Sequence, residues 1–219
     1  YRQHYDGWLF DGSEKSKRNM KFGGQRMVTA LVYLNDVKKG GGTCFTKLHK
    51  EINAEKGKLL VFSNVYDGTN KRHELSEHAG MPVLEGEKWA FNLWFREKSR
   101  NQLYKYTSCE NNNLQESIDV ITNNNNIKFT VDYKNNLENK SDTNILTKEL
   151  IIKQDNFFNP SEIDAILKLC DFKENTEKSR IVCWVQNNKI PDIISKVSEV
   201  VNIDSSYFEN MCITKYNNV

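Results

Sequence analysis

The sequence predicts a mainly β protein with flanking helices, on three observations. Short runs rich in aromatic and β-branched residues recur through residues 1–98. Turn signals separate those runs, and helical spacing of apolar residues enters only after residue 148. Met27 to Leu34 (MVTALVYL) reads as a buried strand, closed by Asn35-Asp36. Gly40-Gly41-Gly42 is a turn, and Thr43-Cys44-Phe45 starts the next strand. Lys58 to Ser63 (KLLVFS) and Lys88 to Phe95 (KWAFNLWF) are two more. Many short strands with glycine turns fit an all-β barrel or sandwich.

Composition divides the 219 residues into three zones. Residues 1–98 carry the strands. Residues 99–147 hold asparagine runs at 111–113 and 123–126, and read as an Asn-rich linker or insertion in which Ile127 to Val131 could form one edge strand. Residues 148–219 are helix-rich. Pro160 follows Asn159 as a first helical residue, with Ile163, Ile166, Leu167 and Cys170 at helical spacing. Pro191 opens a second helix whose apolar face is Ile193, Ile194, Val197, Val200 and Val201. Asn210 to Tyr216 (NMCITKY) reads as a strand.

A net charge of +2, from 31 basic and 29 acidic residues, argues against nucleic acid or an anionic membrane as partner. No apolar run approaches the roughly 20 residues of a membrane-spanning helix. The mean hydropathy of -0.69 is low for one compact domain, so part of the chain is expected to be exposed or loosely ordered. The five cysteines (Cys44, Cys109, Cys170, Cys183, Cys212) show no metal-like spacing. They are expected as free thiols in a reducing, cytoplasmic setting.

The sharpest local signal is His4-Tyr5-Asp6. On a strand, positions i and i+2 share a face, so an imidazole and a carboxylate converge. A single H-x-D is weak without a third ligand, and the other histidines compete for that role. His49 lies among Lys47, Lys50 and Glu51, as in a solvated turn, and His73 follows Lys71-Arg72. His78 precedes Gly80-Met81-Pro82-Val83, with Lys88 ten positions on. Two histidines and one carboxylate on one face of an octahedron suit non-haem Fe(II), with three positions left open. A 2-oxo acid chelates through two of them, O₂ takes the last, and the acid's far carboxylate needs a cation such as Lys88.

At this point the residues become recognisable. YRQHYD (Tyr1 to Asp6), GGQRMVTALVYLNDVKKGGGTCF (Gly23 to Phe45), KGKLLVFSN (Lys56 to Asn64) and HAGMPVLEGEKWAFNLWFRE (His78 to Glu97) resemble, in order and spacing, the prolyl 4-hydroxylase family of Fe(II)/2-oxoglutarate-dependent dioxygenases. The resemblance implies a double-stranded β-helix (jelly-roll/cupin-like) fold. It implies His4, Asp6 and His78 as iron ligands and Lys88 on the C5 carboxylate of 2-oxoglutarate. Thr43 adds a hydrogen bond there, and Trp94 lines the pocket. Trp94, Trp89, Phe91 and Phe95 have core packing as the plain alternative, preferred for the last two, and Tyr33 fits core or pocket equally. The expected cofactors are Fe(II), 2-oxoglutarate as co-substrate, O₂ and ascorbate.

The C-terminal zone resembles a different part of the same family. IIKQDNFFNPSEIDAILKL (Ile151 to Leu169) looks like the segment that opens the catalytic domain, and SRIVCWV (Ser179 to Val185) and PDIISKVSEVVNI (Pro191 to Ile203) follow in family order. FENMCITKYNNV (Phe208 to Val219) resembles the strand and turn before H-x-D, which implies a C5-carboxylate contact for Tyr216. The family halves thus stand in swapped order. Residues 1–98 correspond to the C-terminal part of the barrel, and residues 148–219 to the helices and first strands of a dioxygenase domain. A circular permutant joined by residues 99–147, a slice through tandem domains, or a written order unlike the biological one would each give this pattern. Only in the tandem case does Tyr216 belong to another domain than His4.

The expected activity is hydroxylation of prolyl residues in a protein or peptide, giving 4-hydroxyproline, succinate and CO₂. The expected partner is a proline-containing protein or peptide, with neither nucleic acid nor membrane. Lysyl hydroxylases of the superfamily resemble one another in using arginine for the C5 carboxylate, which sets Lys88 on the prolyl side. Lysyl or free amino-acid hydroxylation, and a non-catalytic barrel acting as a binding module, are the alternatives. The polar segment Gly7 to Lys21 fits a mobile substrate lid or an ordinary variable loop.

Overall fold

The computed structural model describes residues 2–99, 150–170 and 180–217. In chain order the strands are β1 (Arg26–Tyr33), β2 (Lys39–Gly40), β3 (Thr43–Phe45), β4 (Lys50–Ile52), β5 (Leu59–Ser63), β6 (His78–Gly80), β7 (Val83–Glu85), β8 (Glu87–Arg96), β9 (Ile151–Gln154), β10 (Arg180–Val185) and β11 (Met211–Asn217). The α-helices are α1 (Glu14–Met20), α2 (Pro160–Leu167) and α3 (Pro191–Val201).

A six-stranded antiparallel sheet, in the order β10-β11-β8-β1-β5-β9, forms the main wall. A three-stranded sheet, β4-β3-β6, and a ribbon, β2-β7, make up the rest. Between main wall and small sheet lies a core of Tyr33, Phe45, Ile52, Leu60, Phe62 and Ala90. Behind the wall, Phe91, Leu93 and Phe95 pack with Ile163, Ile166, Ile194 and Val197 of the helices. Alternation along β8 sends its side chains to both cores in turn, which is why this strand reads as a nearly continuous apolar run. This is the double-stranded β-helix, mainly β with helices flanking one side.

Local chemistry sets the helix ends. Asn159 accepts from the backbone N–H of Glu162, Glu162 accepts from the N–H of Asn159, and Pro160 takes the first turn. Pro191 starts α3, and Asn202 ends it in the left-handed conformation at φ 52°. The 7–21 segment, read as lid or loop, carries α1, whose Ser13 side chain accepts from the N–H of Ser16. Strand β9 had no foreseen counterpart. It adds to β5 at the sheet edge.

The swapped halves meet in one wall. β11 lies between β8 and β10, and β9 pairs with β5, so strands from both ends of the sequence complete a single barrel within one chain. The expected linker over 99–147, with its edge strand, lies outside the described residues apart from Ser99. Among the described residues, no helix is long and apolar enough to cross a membrane.

The thiols depart from expectation. Cys170, just past α2, and Cys183, on the helix side of β10, form a disulfide with Cα atoms 6.1 Å apart. Their spacing of 13 carries no sequence signature, and only the fold brings them together. Cys44 and Cys212 are free. Closing a loop of this length contributes about 3 kcal/mol. Cys170→Ser is therefore expected to lower the guanidinium unfolding midpoint, and added reductant should bring the wild type down to the same midpoint. Identical midpoints for oxidised wild type and variant would count against the link.

Candidate metal and co-substrate site

His4, Asp6 and His78 come together at the mouth of the barrel, their ligand atoms all within 4.8 Å of one another. The arrangement is built by backbone pairing. His4 and His78 form an isolated antiparallel bridge, each N–H donating to the other's carbonyl at 2.9 and 3.0 Å. Extended backbone at 4–6 then turns His4 and Asp6 to the same side. Asp6 Oδ1 lies 3.6 Å from His4 Nε2, and Asp6 Oδ2 lies 3.9 Å from His78 Nε2.

The supporting contacts aim these groups. His4 Nδ1 is 2.9 Å from the Arg2 carbonyl, and His78 Nδ1 is 2.9 Å from the Ser76 carbonyl. A proton on each Nδ1 leaves each Nε2 lone pair pointing at the shared centre. Asp6 Oδ2 accepts from Thr29 Oγ1 at 2.8 Å and from Trp94 Nε1 at 3.0 Å. Thr29 and Trp94 are register partners across β1 and β8, so one row of the main wall delivers both donors. The next residue in that row, Phe62, lies edge-on to the His78 ring with centroids 4.8 Å apart. Burial pushes the Asp6 carboxyl up, but His4 and His78 when protonated, together with the Arg26 guanidinium, hold it well below the usual carboxylate range. Burial also pushes the His78 imidazole down, toward the neutral form a metal requires.

Two residues along β3 from Phe45, whose register partner is His78, stands Thr43, about 7 Å deeper on the same face. That is the reach of a five-carbon diacid. Thr43 Oγ1 accepts from Tyr33 Oη at 2.7 Å. The ammonium of Lys88 lies 5.0 Å from the Tyr33 ring and 5.5 Å from the ring of Tyr216, its register partner on β11. The glycine turn makes room for β3: a Cβ on Gly42 would stand 2.7 Å from the Ile52 carbonyl oxygen.

The two buried lysines differ in a decisive way. Lys58 is 4% exposed and pairs with Glu55 and Asp155. Lys88 is 5% exposed and has no carboxylate within ion-pair distance among the described residues. Burial pushes its ammonium down to about 8. An ammonium held dry without a counter-charge fits an anionic ligand. The donor set fits Fe(II) and the floor fits 2-oxoglutarate: His4, Asp6 and His78 would hold the ion, and Lys88, Thr43 and Tyr216 line the place for the distal carboxylate. The depressed Lys88 predicts a pH dependence. Below about pH 8 the ammonium is charged and the Kd for 2-oxoglutarate is flat; above it the Kd rises about tenfold per pH unit. Calorimetric titration across pH 6.5–9.5 reads this directly.

The expected residues thus fall into two groups. His4, Asp6 and His78 cluster at the mouth, while Lys88, Thr43 and Tyr216 meet at the floor around Tyr33, which is fully buried. Trp94, expected to line the pocket, donates its indole N–H to Asp6. His73 lies outside the cluster, stacked on Tyr66 with centroids 4.1 Å apart. Three residues were missed. Thr29 holds Asp6, Asn64 donates to Thr29 at 2.8 Å, and Arg26 stacks on Trp94 at 4.1 Å while pairing with Glu209. Thr29 did leave a signal: a threonine set among the apolar residues of the 27–32 run.

Comparison with known proteins agrees with this geometry. Residues 1–96 match the family model of the 2OG-Fe(II) oxygenase superfamily. A putative prolyl 4-hydroxylase of Acanthamoeba polyphaga mimivirus is 43% identical over 98 residues, which are 45% of this chain and 40% of that protein. Probable prolyl 4-hydroxylase 7 of Arabidopsis thaliana is 31% identical over 134 residues, 52% of this chain and 40% of that one. Among solved structures, the viral collagen prolyl hydroxylase of Paramecium Bursaria Chlorella virus-1, in complex with 2OG, is 35% identical, with 43% of this chain and 50% of that chain covered and a TM-score of 0.36. The chain spans well under half the length of the two curated relatives. Residues 1–96, where ligand cluster and lysine both lie, are thus similar to the 2OG-Fe(II) oxygenase superfamily and to prolyl 4-hydroxylases.

Proposed function

We propose that this chain hydroxylates prolyl residues of a protein or peptide, using Fe(II), 2-oxoglutarate and O₂. The observation that carries this reading is Lys88, a buried ammonium with no carboxylate partner among the described residues, set below a His-Asp-His cluster. The balance is one O₂ and one 2-oxoglutarate consumed. One oxygen atom enters the C4–H bond of the prolyl ring and the other enters succinate, with loss of CO₂. The bound ferrous ion supplies the activation of O₂ that couples these two oxidations. The chain's own part is positioning. His4 and His78 present neutral Nε2 atoms, Thr29 and Trp94 fix the rotamer of Asp6, and Lys88 orients the diacid with its keto end toward the ligand cluster.

Ascorbate belongs to this reading as the reductant that returns oxidised iron to the ferrous state. A cytoplasmic location is the proposed setting, with the secretory pathway as the alternative, toward which the Cys170–Cys183 link weighs. The test is aerobic incubation with Fe(II), 2-oxoglutarate, ascorbate and a panel of proline-containing peptides, read by mass spectrometry. A gain of about 16 Da, one oxygen atom, on proline with equimolar succinate is the expected result. Modified lysine with unmodified proline, or no modification across the panel, would overturn it.

A further inference from the structure

The edge of the main wall carries a feature that the metal chemistry does not use. β10 is the outermost strand, and its side chains alternate. Val185 and Cys183 face the helix-side core, whereas Val182 and Trp184 face away from it, at 39% and 57% exposure. An indole left more than half exposed forgoes a large burial term, which marks it as a contact surface when other apolar groups adjoin it. Trp184 adjoins the site directly: its ring centroid is 6.0 Å from that of Trp94, and Trp94 hydrogen-bonds Asp6.

We propose that Trp184 is a specificity-determining residue: with Val182 it forms an apolar platform beside Trp94 and the metal centre that receives an apolar side chain one or two positions from the hydroxylated residue of the substrate. The inference rests on the proposed peptide hydroxylation and deepens it. An extended chain covers about 3.3–3.6 Å per residue, so 6.0 Å from Trp94 to Trp184 spans about two residues. A residue reacting beside Asp6 therefore brings its near neighbours over Trp184. The platform offers apolar contact, and Arg26, which stacks on Trp94, is already paired with Glu209. It is also rigid. Cys183, adjacent to Trp184, is tied to Cys170 behind the strand, so little ordering is needed on binding.

The test compares two proline-centred peptides, one with leucine at the positions flanking proline and one with serine there. Affinity is read by calorimetry and turnover by succinate, on the wild type, Trp184→Ala and Trp184→Phe. Trp184→Ala is expected to weaken the leucine peptide about fivefold and the serine peptide less than twofold. Trp184→Phe should restore most of the loss, and the Kd for 2-oxoglutarate should not move. Equal losses for both peptides, or no loss for either, would overturn the platform. Succinate release with no dependence on Trp184 would sink the platform and keep the hydroxylase reading. Trp184-dependent binding without succinate would do the reverse.

Discussion

Replacing Asp6 with asparagine removes ferrous binding and, with it, at least about 1,000-fold of peptide-coupled succinate release. This exceeds the roughly 10- to 100-fold typical of losing an outer contact to a ligand. The asparagine keeps the shape of the carboxylate, so Thr29 and Trp94 retain an oxygen to bond. What disappears is the only anionic charge in the ligand cluster. Asp6→Asn should therefore fold like the wild type by circular dichroism while equilibrium dialysis finds no stoichiometric Fe(II). His78→Ala should behave likewise, since it removes one of the three donors and, among the described residues, no fourth donor joins the cluster. Wild-type turnover in either variant would refute the ligand assignment.

Lys88→Met should weaken 2-oxoglutarate binding by about 2–5 kcal/mol, which is roughly 30- to several-thousand-fold in Kd. The same substitution should make the protein more stable. The unpartnered ammonium is held near 8 rather than 10.5, a penalty of order 3 kcal/mol against the folded state. The sign follows from proton binding. The unfolded chain binds the proton more tightly, so stability is lowest below about pH 8 and recovers as pH rises from there toward 10.5. A thioether of similar length carries no such penalty. Lys88→Met is thus expected to raise the denaturation midpoint at pH 7 as co-substrate affinity collapses, the trade expected where a site is held in a strained state for function. Lys88→Arg keeps the charge but offers a wider, planar head, and should recover only part of the affinity. If Lys88→Met both lost stability and kept 2-oxoglutarate affinity, the lysine would be a structural residue only.

Much of this was legible before any coordinates. The strand carrying Val28 to Tyr33 could be read because its residues are apolar on both faces, and the helix at Pro160 because its cap and first-turn proline announce it. The cluster His4, Asp6, His78 and the lysine were legible because ligand type and spacing offered them as candidates and the family resemblance implied their roles. Other features depend on register, which no local pattern encodes. That Thr29 and Trp94 stand opposite each other, and so share Asp6, follows from the pairing of β1 with β8. Trp94 shows the same limit: an inward tryptophan can be read from the pattern, but the atom its indole N–H reaches cannot. The Cys170–Cys183 link depends on the end of α2 meeting the back of β10, a tertiary contact without a spacing rule. The meeting of the swapped halves in one sheet likewise depends on β11 finding the free edge of β8.

The most direct test of the central claim is a crystal structure of the protein grown under argon with Fe(II) and 2-oxoglutarate. The account predicts one metal peak bonded to His4 Nε2, His78 Nε2 and an Asp6 carboxylate oxygen, with the distal carboxylate of 2-oxoglutarate on Lys88 Nζ. A metal peak elsewhere, or a diacid whose tail points away from Lys88, would contradict it.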